Sequence, residues 1–528
     1  MSRRHIEFFL SRYIKVLAEP RLLLLSFSFL IVRFLYIFDG VIPFSFDHGK
    51  DMIATLEMVM TFSPKLTGPW TSIPGLHFGP FWYYLLAPFS VVGGWHPVAP
   101  VFGLAFLMFI QMVLAYRYLG TFEALMITFG GAWVMFSSSA WNPFPMTLIS
   151  LLIIIVLKHT GKKAPTRAGM LLLGALVGFG FSFSAAFTIF YPIILGAYWA
   201  LRKIKPTILS VVWAFLGLLA VLLPQIAFEV KHNFIQTKAV LRYFSQPEDH
   251  ALTGQKVVSI IQTVLGEAKT AVVPSVPQLS QPVNMMIALF VGAILILAFV
   301  AFRSKKPSNV GNRALVEYSN ALSLTLCFLT IPTIGYFFLH FNVWYLYGML
   351  PPVVWLMGCS LRLLPNWYHW FYLVLLTFGA ASQLFFFRQE NIAQLREQRS
   401  FLPVKRQTLE VIRNQAANRP FASYHYVPEV YDYTYQYLYF WQAIQGKELP
   451  TEFSYKPNET AYIPEKRALL AKFQSNQQVE PEVIFFVVEQ PENEQFLAEW
   501  WGQQQFGDIL NTTVINSSVT VFMATPAN

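Results

Sequence analysis

The sequence predicts a mostly α-helical protein in two parts, a polytopic membrane domain over residues 1–387 and a small soluble α/β domain over 388–528. Three observations predict it. Of the 528 residues 55% are hydrophobic and only 12% charged, against roughly 25% charged in a soluble domain, so water cannot face the whole chain. Apolar runs of the roughly 20 residues that cross a bilayer recur from Leu22 to Phe387. From Arg388 onward the chain turns polar, mixed in charge and rich in Tyr and Gln.

The net charge of +10 divides unequally: residues 1–387 hold 26 Lys/Arg and 12 Asp/Glu, the remainder 12 and 16. The basic excess therefore belongs to loops between membrane spans, where Lys and Arg set orientation, and is no nucleic-acid signal. Both cysteines, Cys327 and Cys359, fall in predicted spans, which leaves neither a disulfide framework nor a Cys-based metal site. The leader Met1–Arg21 is basic and runs into an apolar segment without a small-residue cleavage site, the pattern of a retained signal-anchor helix.

About eleven spans are predicted, near 22–40, 97–116, 122–138, 144–158, 168–183, 186–201, 207–225, 283–302, 315–338, 343–362 and 367–387. With the N-terminus cytoplasmic, 18 of the 26 membrane-domain Lys/Arg fall in short cytoplasmic loops and seven in two long outer loops, 39–96 and 226–282. The C-terminal domain then lies outside, and the expected location is the cytoplasmic membrane. Phe81–Gly94 is apolar, but its 14 residues reach only about 20 Å and are broken by Pro88. It is read as a helix along the outer surface, with Trp82, Tyr83 and Tyr84 at the interface. Gly174-x-x-x-Gly178 predicts a close helix contact. In the C-terminal part a helix near 404–417, a strand near 483–489, a helix near 493–504 and strands from 510 to 524 are expected.

Few side chains can carry chemistry on the outer face. Its carboxylates are Asp39, Asp47, Asp51, Glu57, Glu229, Glu248, Asp249 and Glu267. Asp47 and Asp51 are four apart and share a face if a helix starts there. Asp47 could simply cap that helix. Its place at the membrane boundary, beside Phe44 and Phe46, instead suits partial desolvation, which makes a carboxylate a better base. His77-Phe78-Gly79-Pro80 opens the surface helix and places His77 near unpaired amides that attract anions; the bland alternative is an interfacial histidine.

Three further clusters lie on this face. Trp141-Asn142-Pro143 is ordinary turn chemistry, or else an amide for a sugar hydroxyl beside an indole for a ring face. The stretch from Pro224 to Phe234, with Glu229, Lys231 and His232 and with Lys238 and Arg242 beyond, is the densest cationic segment on the outer face of the membrane domain. Its cations either snorkel toward headgroups or meet a phosphate. His340-Phe341-Asn342-Val343-Trp344-Tyr345 is the last outer turn, where a histidine is structural unless the fold brings it toward the first loop.

Taken in order, these blocks resemble the GT-C superfamily of membrane glycosyltransferases, which includes protein O-mannosyltransferases and the lipid A aminoarabinose transferase. The residues that carry the resemblance are Asp47 just after the first span, HFGPFWYYLLAPF from His77, WNP from Trp141, FEVKHNF from Phe228 and HFNVWY from His340. It implies a polyprenyl-phosphate sugar donor, surface helices in the first outer loop, and an acidic first-loop residue, Asp47, as catalytic base. The donor phosphate and sugar would meet His77, Lys231, His232, Asn142, Glu229 and His340, with Asp51, Trp141 and Arg242 in support. The partners are then the donor, the bilayer and an acceptor that is lipid, polysaccharide or protein, with no nucleic acid. No cofactor is assigned and no metal ligand is named; metal use varies across the superfamily, so a divalent cation stays open. The rival classes are a membrane transporter, which would bury ionisable residues at mid-membrane where only Arg33 qualifies, and a non-catalytic binder of lipid-linked sugar.

Overall fold

The computed structural model describes residues 19–161, 163–245, 252–274, 281–304, 312–429, 431–459, 462–473 and 479–527. Arg3, Arg4, Arg12 and Lys15 of the leader, with Glu248 and Asp249, lie outside the described residues. In chain order the helices of the first part are α1 Pro20–Ile37, α2 Phe46–Met60, α3 Phe81–Val92, α4 Ala99–Tyr118, α5 Thr121–Phe129, α6 Gly131–Phe136, α7 Met146–Thr160 and α8 Arg167–Phe183. There follow α9 Ala185–Thr188, α10 Tyr191–Leu201, α11 Ile208–Lys231, α12 Ile235–Ser245, α13 Gly254–Val272, α14 Gln281–Arg303, α15 Asn312–Phe338, α16 Leu350–Leu363, α17 Asn366–Phe386 and α18 Ile392–Arg396. The remainder is α19 Leu402–Ala416, β1 Phe421–Tyr426, α20 Tyr433–Ile444, β2 Glu452–Ser454, α21 Pro464–Phe473, β3 Val483–Glu489, α22 Glu494–Trp501, β4 Ile509–Asn516 and β5 Val519–Ala524.

Among the described residues seven helices are long and apolar enough to cross a membrane, with shorter apolar helices between them. Leu216 and Leu223 on α11 and Leu289 and Ile296 on α14 are 45–65% exposed. Apolar stripes of this kind belong against lipid, not water. Helix starts follow local chemistry: Thr166 and Thr207 accept from the amides of Gly169 and Ser210, each satisfying one orphan donor. The glycine pair works as read, with a partner in α11. A Cβ on Gly174 would meet the Ala214 carbonyl at 1.7 Å, and one on Gly217 the Leu171 carbonyl at 2.0 Å.

Several predicted spans differ: the one near 186–201 divides into α9 and α10, and the one near 343–362 opens with a 3-10 turn, Val343–Met349. The one near 207–225 continues through Pro224 as α11, whose 24 residues end at Lys231 and reach about 36 Å, carrying Phe228 and Glu229 beyond the expected boundary. The one near 122–138 breaks at Gly130, because the end of α13 presses against it. Gly131 donates to the Val273 carbonyl at 3.1 Å, and a Cβ on Gly130 would stand 2.8 Å from the Ala271 carbonyl.

Arg33 of α1 holds that break together. Its guanidinium donates to the carbonyls of Ile127, at 2.9 Å, and Thr128, and to Ser137 Oγ at 2.8 Å, while lying over Phe29. The lone charge inside a span is thus a staple for the open end of α5. Arg33→Leu is expected to strand those carbonyls and lower stability by about 2–4 kcal/mol. An unchanged thermal midpoint in detergent would refute it.

The turns read as outer meet at one end of the bundle and the basic loops at the other. At the basic end Arg362 grips Glu123 with two bonds of 2.9 Å, and Lys158 pairs with Glu317.

After α19 the chain forms a five-stranded sheet of order β2-β1-β3-β5-β4, parallel between β2, β1 and β3 and antiparallel between β3, β5 and β4. Strands β3, β4 and β5 and helices α19 and α22 fall where expected; β1, α20, β2 and α21 were not anticipated. The sheet part docks on the first loop. Phe44 donates to the Ser400 carbonyl at 2.8 Å and Leu402 to that of Ile42 at 3.0 Å. Lys65 bridges Glu57, at 2.9 Å, and Glu465, at 3.2 Å. Helix α20 lies so close to α2 that a Cβ on Gly49 would stand 2.7 Å from the Thr434 amide nitrogen.

Candidate active site

Helix α2 begins at Phe46 with Ser45 before it, so Asp47 stands in the first turn and is not the cap. Asp47 points outward, its side chain 45% exposed, and accepts from Lys50 Nζ at 2.6 Å. The Lys50 ammonium is itself buried, between the rings of Phe46 and Trp70 at 5.0 and 5.3 Å from their centres.

The desolvation expected of Asp47 belongs instead to Asp51, one turn further along the same face. Asp51 is buried; Oδ2 accepts from the Trp82 indole at 2.6 Å and Oδ1 has no partner. Burial pushes its carboxyl up to about 7, opposed by Lys50 and the Trp82 bond. Trp82 and Tyr83 therefore do not lie at the interface as read: α3 packs both inward, and only Tyr84 is exposed. His48, buried and bonded to the Pro43 carbonyl, is pushed by burial down to about 4, so it adds no positive charge at neutral pH.

The backbones of Trp70 and His77 pair in an antiparallel bridge, which places the second half of the first loop beside the Lys50 site. The His77 amide donates to Gln236 Oε1 of α12 at 2.9 Å, and its buried Nδ1 has no partner. Its ring lies 5.8 Å from that of Phe228, on which His232 stacks at 4.0 Å. Burial, and then nearby His232, lower the His77 pKa. It is a neutral imidazole at pH 7, a hydrogen-bonding group and not a cation. Pro80 is the residue before α3, not its first.

The other expected residues divide. Lys231 and His232 are exposed at the end of α11. Helix α12 joins His77 to the last outer turn, since His340 donates its amide to Tyr243 at 3.3 Å, one residue beyond Arg242. The His340 ring meets Asn342 at 3.1 Å. Glu229 and Asn142 serve structure. The Glu229 carboxylate accepts from the amides of Gln236 and Thr237, both at 2.9 Å, and starts α12. The Asn142 amide donates to the Phe183 carbonyl at 3.2 Å, which takes the group expected for a sugar hydroxyl. Trp141 packs against Trp344 at 5.2 Å and ties two outer turns together.

Sequence reasoning missed Lys50, Trp70, Tyr431 and Tyr433. Only Lys50, three residues after Asp47, carried a local signal. Tyr431 and Tyr433 reach the site from the sheet part, 5.6 Å apart, with Trp70 6.2 Å from each.

A second constellation has the look of a nucleophilic triad. Ser423 meets His425 Nε2 at 2.9 Å, and His425 Nδ1 meets Asp432 at 2.5 Å. All three have zero exposure, and Ser423 also accepts from Tyr439 at 2.8 Å, so no substrate reaches the hydroxyl. The network pins the start of α20, the helix that faces α2. Among the described residues no group of three or more His, Cys, Asp or Glu converges in a way that could hold a metal ion.

No protein-family model and no curated protein matches the chain. Its architecture matches the crystal structure of ArnT from Cupriavidus metallidurans bound to undecaprenyl phosphate, with a TM-score of 0.57 over 96% of this chain and 98% of that one, at 12% identity. The apo form of the same protein matches with a TM-score of 0.56 and 12% identity, over 95% of this chain and 97% of that one. The chain shares the fold of ArnT. The match runs through the sheet part as well as the helices, and α3, with 12 residues and about 18 Å of reach, is too short to cross the bilayer.

Proposed function

We propose that this protein is a membrane glycosyltransferase that moves a sugar from a polyprenyl-phosphate donor to an acceptor hydroxyl on the extracytoplasmic face, with Asp47 as general base. The proposal includes a cytoplasmic N-terminus and an extracytoplasmic domain over residues 388–528. The observation that carries it is a chain of contacts: Asp47 pairs with Lys50, Lys50 lies over Trp70, the Trp70 backbone pairs with that of His77, and the His77 ring neighbours Phe228, on which His232 stacks. The fold it shares with ArnT, solved with undecaprenyl phosphate, supports the same reading.

The acceptor oxygen attacks the anomeric carbon while Asp47 takes its proton. The bond from that carbon to the phosphate oxygen breaks, and the prenyl phosphate leaves with the electron pair. A phosphate leaves without a proton, so one carboxylate suffices where a glycosidase needs two. Lys231, His232 and the neutral imidazole of His77 meet the growing negative charge. Lys50, paired to Asp47, orients the base. Arg33 donates to two backbone carbonyls and to Ser137, a structural role that removes the charge that favoured a transporter.

The test is incubation of purified protein with a panel of polyprenyl-phosphate sugars, scoring release of the prenyl phosphate. No release from any donor, with acceptor extracts present, would sink the proposal. Replacing Lys231 and His232 together by Ala is expected to lower kcat/KM for the donor by about 10–100-fold, measured in the same assay; an unchanged value would remove them from the phosphate site.

A further inference from the structure

The aromatic cluster beside Asp47 has no task on the donor side. Trp70 is 41% exposed at the mouth of the site. Phe46 stands 6.3 Å from it, and Tyr431 and Tyr433 form a wall from the sheet part. Tyr431 is held from behind by stacking on Tyr462 at 5.8 Å and 12°. Among the described residues no hydrogen bond engages the hydroxyls of Tyr83, Tyr431 or Tyr433. Asp51 and Glu465 are within electrostatic reach of both Tyr83 and Tyr433.

We propose that this cluster is the acceptor subsite and that the acceptor it takes is a saccharide, lying on the exposed face of Trp70 with one hydroxyl turned to Asp47. A sugar ring has an apolar face of C–H bonds and a rim of hydroxyls. An indole covers the face, while the half-buried Tyr431 phenol and the exposed Asp47 carboxylate take the rim, with Tyr83, Tyr433, Lys50 and Asp51 buried behind them. A peptide acceptor is recognised best by adding to a free strand edge, and the wall here is made of side chains from the first loop and the start of α20. The edge strand β2 touches the start of α20, and its Phe453 carbonyl is already taken by Gln436 and Lys466. The inference rests on the transferase reading, and supplies the acceptor class that reading leaves open.

The experiment reads binding, so it succeeds or fails apart from catalysis. Full-length protein in detergent is titrated with methyl glycosides of glucose, galactose, mannose and N-acetylglucosamine, followed by saturation-transfer NMR and tryptophan fluorescence. At least one glycoside is expected to bind in the millimolar range. Trp70→Ala should weaken it by about tenfold or more and Trp70→Phe by only about two- to threefold. Trp367→Ala, an exposed tryptophan on α17, should leave it unchanged. Asp47→Asn should keep glycoside binding while losing transfer, which separates this proposal from that of the base. Absence of binding by every glycoside, or wild-type binding by Trp70→Ala, overturns the saccharide subsite. So does a Ser/Thr-containing peptide that binds at Trp70 in place of the glycosides.

Discussion

Asp47→Asn is expected to lower transfer by about 10²–10⁴-fold, the usual effect of losing a general base. Asn has the same shape and still accepts from Lys50, so the start of α2 is kept. What it cannot do is take the acceptor proton. Because the carboxylate acts on the acceptor, kcat and kcat/KM for the donor should fall together, with little change in donor KM. Prenyl-phosphate release at saturating donor measures it. Wild-type turnover in Asp47→Asn would end its role as base and direct attention to Asp51, one turn deeper on the same face.

Asp51→Asn is expected to make the protein more stable above neutral pH and to remove a pH dependence. Burial, opposed by Lys50 and the Trp82 bond, raises the Asp51 carboxyl from an ordinary 3.8 to about 7 in the fold. Between about pH 4 and pH 7 the folded chain holds a proton that the unfolded chain has lost, so stability falls as pH rises through that window and levels off above it. A shift of this size corresponds to a destabilisation on the order of 4 kcal/mol at pH 8. Asn keeps an oxygen for the Trp82 indole and carries no charge. The thermal midpoints of the two proteins should therefore coincide near pH 4 and separate toward pH 8, with the variant higher. A variant that melts lower than wild type at pH 8 would show that burial of the charged form is no burden. A protein that tolerates such a carboxylate next to a reacting centre sacrifices stability for function, a common pattern at active sites.

Much of the architecture was legible because membrane segments announce themselves by length and apolarity. The pairs that pack backbones closely, such as Gly174 and Gly178, were legible as small residues at helical spacing. Their partner, α11, was not. The break at Gly130 escaped because its cause is the Val273 backbone, more than a hundred residues away. Strand β1 and helix α20 escaped because tyrosine-rich stretches carry neither a clean period of two nor one of 3.6; the sheet decides between them by burial.

Elimination narrowed the outer carboxylates to eight, and the family resemblance pointed to Asp47, His77, Lys231 and His232 among the polar groups of that face. It also proposed Asn142 and Glu229, which the fold uses to satisfy a carbonyl and to start a helix. Pairing of that kind depends on where a distant backbone passes, which no local pattern records.

The sequence alone therefore determined that this is a helical membrane protein with a compositionally distinct C-terminal part, because transfer of side chains between water and lipid depends on local composition. Only the tertiary structure decided that Asp51 and not Asp47 is the desolvated carboxylate, that Lys50 orients Asp47, and that tyrosines some 380 residues away wall the site. Desolvation and pairing depend on which surfaces meet, and that is fixed when α20 closes over α2.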